Sequence, residues 1–115
     1  FQLHKFKEAA SQYQLAARDP KTRRPATFRL GICLEKQGLM DLAIEQYQKA
    51  AAGASVVSQD VKDILYTLGH AYEAQHRTAE ALETYKKVFD ADMNFRDVST
   101  RIQSLYSQGS KEAGS

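Results

Sequence analysis

Apolar residues recur along this chain at the three- and four-residue spacing that lines one face of a helix. Phe6, Ala9, Ala10, Tyr13 and Ala17 form one such stripe, and Met40, Ala43, Ile44, Tyr47 and Ala50 form another. Ala81, Leu82, Tyr85, Val88 and Phe89 repeat the pattern. Further stripes run through Phe28–Leu34 and Val61–Tyr72, and the last joins Val98, Ile102, Leu105 and Tyr106. No segment alternates with a period of two, so the pattern predicts an all-α protein. The breaks agree. Asp19-Pro20 ends the first helix, because proline disfavours helical geometry in the residue before it. Gly38, Gly53-Ala54-Ser55 and His76-Arg77-Thr78 separate the later ones. Thr78 is the expected N-cap of the fifth helix, with Glu80 in its first turn.

Two glycines stand inside otherwise good helices, in FRLGICLEKQG (Phe28–Gly38) and LYTLGHAYEAQ (Leu65–Gln75). Each costs roughly 1 kcal/mol of helix propensity relative to alanine. Self-similarity accounts for them. The segments FKEAASQYQLAARD, MDLAIEQYQKAAAG and TAEALETYKKVFDA each place Ala, three residues, then Tyr in register: Ala9/Tyr13, Ala43/Tyr47 and Ala81/Tyr85. The offsets are 43 − 9 = 34 and 81 − 43 = 38. Before the second and third copies comes a Leu-Gly pair, followed three residues later by Leu34 or Tyr72.

On these residues the chain resembles the tetratricopeptide repeat (TPR) family, whose unit is an antiparallel pair of helices of about 34 residues. Gly31 and Gly69 match the small site of the first helix in each pair, and Ala43 and Ala81 that of the second. Leu30, Leu34, Leu68, Tyr72, Tyr47 and Tyr85 match the large sites between them. The resemblance implies a helix-turn-helix superhelix: two full repeats (about 22–54 and 56–93) flanked by a partial-repeat helix (about 1–20) and a capping helix (about 95–107). Together these make one TPR domain over 1–106, with 108–115 as a flexible tail. The second repeat is four residues over-length, and GASVVSQD either lengthens the following helix or bulges as a loop. In the sixth helix Gln103 occupies the small-residue site and blocks close approach of another helix, hence its reading as a cap.

Composition adds limits. Hydrophobic residues make up 43% and charged residues 26%, ordinary for a globular protein. No apolar run reaches the ~18 residues of a membrane span, and no signal-peptide pattern is seen. The chain begins with Phe1, which reads as a segment of a longer protein. A single cysteine, Cys33, excludes an internal disulfide, and a cytoplasmic location is the expectation. The net charge is +2, and Arg18–Arg29 carries five basic residues against Asp19, leaving about −2 for the rest. The turn with Arg18, Lys21, Arg23 and Arg24 reads as a solvated loop, since nucleic-acid binding needs a broader stripe with interleaved aromatics.

His4, His70 and His76 lack metal-ligand spacing. No phosphate loop or nucleophile motif appears either. No catalytic, metal or cofactor residue is expected, and the chain is not read as an enzyme.

The resemblance places partner binding on the concave face lined by first helices. The matching positions are Phe28, Ile32, Glu35 and Lys36, then Asp63, Tyr66, His70 and Glu73, with Asp97, Thr100 and Arg101 from the cap. An aromatic-aliphatic patch rimmed by charges suits capture of a peptide or helix. The competing reading is that these side chains contact neighbouring elements of the chain itself. Some relatives clamp a chaperone's C-terminal carboxylate. The clamp positions here are Phe28, Ile32, Thr67, Asp97 and Arg101, of which only Arg101 fits. The expected function is therefore a protein-protein interaction module. The alternative is a structural spacer or oligomerisation element, with self-association through the exposed first helix (Leu3, Phe6, Ala10, Tyr13).

Overall fold

The computed structural model describes the backbone of residues 2–114 and the side chains of 4–108. The chain divides into two compact units, Phe1–Gly53 and Ala54–Ser115. The first contains α1 (Gln2–Ala16), α2 (Arg23–Lys36) and α3 (Met40–Ala51). The second contains α4 (Gln59–Ala74), α5 (Thr78–Ala91) and α6 (Val98–Gly114). In the first unit α2 packs against both α1 and α3, and in the second α5 packs against both α4 and α6.

The hairpins α2–α3 and α4–α5 are built alike. Each first helix closes with a Schellman turn, in which the residue after the cap enters the left-handed region and its neighbours satisfy the last carbonyls. In α2–α3 that residue is Gly38 (φ 80°). Its N–H donates to the Glu35 carbonyl, and that of Leu39 to Leu34, both at 2.9 Å. In α4–α5 the same place is held by His76 (φ 59°). The N–H of His76 donates to Glu73 at 3.0 Å and that of Arg77 to Tyr72 at 2.9 Å. The Arg77 guanidinium lies 4.8 Å from the centre of the Tyr72 ring, a cation–π contact spanning the turn.

The two helices of each hairpin cross where the glycines stand. A Cβ on Gly31 would come within 2.6 Å of Tyr47 Cε1, and one on Gly69 within 2.7 Å of Tyr85 Cε1. Both tyrosines and their alanine neighbours, Ala43 and Ala81, are fully buried. Leu30, Cys33, Ile44 and Ala50 complete the core of the first hairpin. Val61, Ile64, Leu68, Tyr72 and Val88 do so in the second, joined by Phe95, Val98 and Leu105 from the segment that brings in α6.

A cation near the start of each first helix reaches the far end of its hairpin. Arg24 donates from Nε to the Ala50 carbonyl at 2.9 Å and from Nη2 to Ala52 at 3.4 Å. Lys62, at the equivalent position (24 + 38), meets the Asp92 carboxylate at 3.2 Å. Positive charge there complements the exposed carbonyls at a helix C-terminus.

Three expectations need adjustment. Thr78 is the first helical residue of α5 and not its cap. Arg77 holds the N-cap position without a side-chain cap bond. Its guanidinium pairs with both oxygens of Glu80 instead, at 2.7 and 2.5 Å. Second, the extra length of the later repeat is shared between alternatives: α4 has 16 residues against 14 in α2, and the rest lies at the end of α3 and in the connection 52–58. Third, α6 continues to Gly114 through the segment expected as a tail. Gln108, Lys111, Glu112 and Ala113 are good helix formers with no proline among them. Ser115 lies outside the described residues, as does the Leu3 side chain expected on the exposed face of α1.

Gly31→Ala gains helix propensity but drives a methyl group into a buried ring, and overpacking of this kind costs about 1–3 kcal/mol. The expected result is a net loss of up to about 2 kcal/mol, read as a lower midpoint in urea with an unchanged slope. At His76 the sign reverses. His76→Gly relieves a left-handed side chain, a strain of roughly 1–2 kcal/mol partly offset by the greater unfolded-state freedom of glycine. The variant melts a few degrees higher, whereas His76→Ala gives no gain.

Candidate functional site

The first-helix positions fall in both units, and the surroundings differ. On α2, Phe28 is half-buried and presents its ring edge-on to Tyr47, with centroids 5.8 Å apart. Ile32 is half-buried and Lys36 exposed. Glu35 accepts a hydrogen bond of 2.8 Å from Tyr47 Oη. Burial, reinforced by that bond, pushes the Tyr47 phenol far above its ordinary range, so the hydroxyl stays a neutral donor. Burial likewise raises the Cys33 thiol, which packs in the core of the hairpin.

In the second unit the equivalent residues are Tyr66 (28 + 38), His70 (32 + 38) and Glu73 (35 + 38). Tyr66 lies 5.7 Å from the Tyr85 ring and 5.9 Å, edge-on, from Phe95. His70 is exposed, its ring centre 6.5 Å from that of Tyr66. Glu73 accepts from Tyr85 Oη at 2.9 Å, repeating the Tyr47–Glu35 bond.

Beyond this shared plan the second unit carries a charged network. Tyr66 Oη donates to Asp97. Arg101 donates from Nε to Asp97 at 3.1 Å and from Nη1 to Glu73 at 3.3 Å. Arg96 pairs with Asp63 at 3.0 Å and sits 5.2 and 5.3 Å from the Tyr66 and Phe95 ring centres. The Tyr66 hydrogen bond, helped by Arg101, holds the Asp97 carboxyl below the usual carboxylate range. Asp97 and Glu73 in turn raise Arg101. Burial, then Asp97, raises the Tyr66 phenol. Asp63, Tyr66, Glu73 and Arg101 are thus brought together in one network, while His70 and the exposed Thr100 stand beside it.

Phe95 and Arg96 were not singled out from the sequence. Both lie in the short connection before α6, and the backbone there turns through a left-handed Arg96 (φ 46°). An aromatic and two charges in NFRD were the only available signal.

The basic turn is largely committed to its own unit. Arg23 Nε donates to the Ala17 carbonyl at 3.1 Å, and Arg24 is spent on α3. Among the described residues, no group of three or more His, Cys, Asp or Glu is placed to hold a metal ion. Also among them, no helix is long and apolar enough to cross a membrane.

The tetratricopeptide repeat family model matches residues 23–94, more than half of the chain and all of α2 to α5. The chain belongs to the tetratricopeptide repeat family. Members of the TPR family generally mediate protein–protein interactions. No curated protein matches the sequence. The TPR match ends before α6, so the network that joins Tyr66 to Asp97 and Arg101 extends beyond the matched segment.

The depressed Asp97 carboxyl sets a pH dependence. A carboxylate whose pKa is lower in the folded than the unfolded state binds fewer protons when folded, so stability rises with pH across that interval. Its contribution is complete above the unfolded value of about 3.9 and fades as pH falls through the lower folded value. Thermal melts between pH 7 and 2.5 are expected to show a shallower acid decline for Asp97→Asn than for the wild type.

Proposed function

We propose that this TPR chain binds a peptide or helix of another protein through the faces of its first helices. In the first unit the contact residues are Phe28, Ile32, Glu35 and Lys36. In the second they are Asp63, Tyr66, His70 and Glu73, with Arg101. The observation that carries the reading is the half-exposure of Phe28, Ile32 and Tyr66. Ala43, Tyr47, Ala81 and Tyr85 fill the hairpin crossings. Aromatic and aliphatic side chains left partly open and bordered by fixed charges are the usual chemistry of a peptide-binding surface. In the second unit the charges are held by one another, so a partner meets an already ordered surface and loses less entropy on binding. A cytoplasmic location belongs to the same reading.

One observation favours a structural role instead. Asp63, Glu73 and Arg101 all find partners inside their own unit. A spacer or oligomerisation element would use them for rigidity alone.

The test is capture from lysate by the wild-type chain beside Phe28→Ala/Tyr66→Ala, with helicity matched by circular dichroism. Loss of a retained protein by an equally helical variant is the expected outcome. Equal retention by both, or by neither, removes the binding reading in favour of the structural one.

A further inference from the structure

The connection between α5 and α6 puts Arg96 in a backbone conformation that disfavours a side chain. Its φ of 46° lies in the left-handed region, where a Cβ is strained and glycine or asparagine is the usual occupant. From there the side chain turns back over the second unit. Arg96 Nη2 donates to Asp63 Oδ1 at 3.0 Å. Its guanidinium carbon lies 5.2 Å from the Tyr66 ring centre and 5.3 Å from that of Phe95. A carboxylate beside aromatic rings is the chemistry that receives a planar guanidinium.

Arg96 is loosely held there. Its side chain is 57% exposed, whereas that of Lys62, which also lies over the Phe95 ring, is 14% exposed and tied to Asp92. The nearby Asp97 and Glu73 are paired with Arg101 and do not depend on Arg96. Among the described residues, the ion-pair partner of Asp63 is Arg96. An ion pair this exposed contributes little net stability, so its two halves exchange partners at small cost. Tyr66 is half-buried, and His70 stands exposed beside it.

We propose that Asp63, Tyr66 and Phe95 form a guanidinium site, filled in the free chain by Arg96 and taken over by an arginine of the bound peptide. This rests on the peptide-binding reading above and names what the peptide carries. Charge complementarity selects the occupant: Asp63 repels an acidic segment and needs a cation once Arg96 leaves. Lysine fits less well, because its ammonium is a compact point charge without a flat face to lay on a ring. Arg96 acts as a tethered competitor. A group on so short a connection has an effective concentration in the millimolar range. It therefore holds off single arginines and yields to a peptide that also contacts Tyr66 and His70.

Arg96→Gly and Arg96→Asn empty the site and suit the left-handed turn, and each is first checked for helicity and melting. The probes are N-acetylarginine methylamide and N-acetyllysine methylamide, titrated while the ring-proton NMR signals of Tyr66 and Phe95 are followed. The arginine probe is expected to shift both rings and to bind either variant about tenfold more tightly than it binds the wild type. The lysine probe binds the variants more weakly than the arginine probe does. Adding Asp63→Asn to Arg96→Gly abolishes the response. An arginine probe that shifts neither ring in the emptied variants overturns the proposal. So does equal binding to the wild type, equal binding of the lysine probe, or a response that survives Asp63→Asn. The outcome is separable from lysate capture. Silent rings, with a partner still lost on Phe28→Ala/Tyr66→Ala, remove the arginine assignment and leave the peptide-binding reading standing.

Discussion

Each hairpin of this protein depends on one tyrosine ring packed directly against a glycine. Without a side chain at Gly31 or Gly69, the helix can approach the ring at a distance no other residue permits. The ring then closes the crossing, and its hydroxyl reaches across to a glutamate on the first helix. The loss of helix propensity at the glycine is offset by burial of a whole tyrosine, worth about 1.5–3 kcal/mol or more for a large side chain. The glutamate bond matters because a buried phenol without an acceptor is destabilising.

From that shared contact the two units diverge. In the first, the crossing is flanked by Phe28, and the far end of the hairpin is tied by Arg24 to backbone carbonyls. In the second, Tyr66 replaces Phe28 and its extra hydroxyl recruits Asp97. Asp97 holds Arg101, which returns to Glu73, the acceptor of the crossing tyrosine. One added oxygen atom thus links the glycine–tyrosine contact to α6. The network is partly exposed, where individual ion pairs contribute little, so its main effect is to fix geometry. The outcome is two surfaces of different character: an apolar one bordered by single charges on α2, and an aromatic one framed by paired charges on α4 and α6.

The ends of the chain follow the same rule of phase. A helix in repeat register carries a face for the partner that its position in the repeat demands, whether or not that partner is present. By register α1 is in phase with second helices and α6 with first helices. Repeat proteins meet this condition generally, because each unit is stabilised chiefly by its nearest neighbours.

Much of this protein was legible in its sequence. The stripes at helical spacing, the two Leu-Gly pairs and the thrice-repeated Ala-x-x-x-Tyr are local or periodic signals, and they determine six helices and the pairing of α2 with α3 and of α4 with α5. The candidate surface was legible only as positions on helix faces. That Asp63, Tyr66, Glu73 and Arg101 are joined in one network was decided by tertiary structure, because their bonds span up to 33 residues and pass through the left-handed turn at Arg96. The cap of α5 was misread for a related reason. Thr78 had the right chemistry, but Arg77 is fixed by the preceding Schellman turn and its stacking on Tyr72, which puts the chain one residue out of step for a threonine cap. Periodicity reports which face of a helix is buried. Which charges meet, and where a turn places its last residue, depend on contacts between segments that no single stretch of sequence contains.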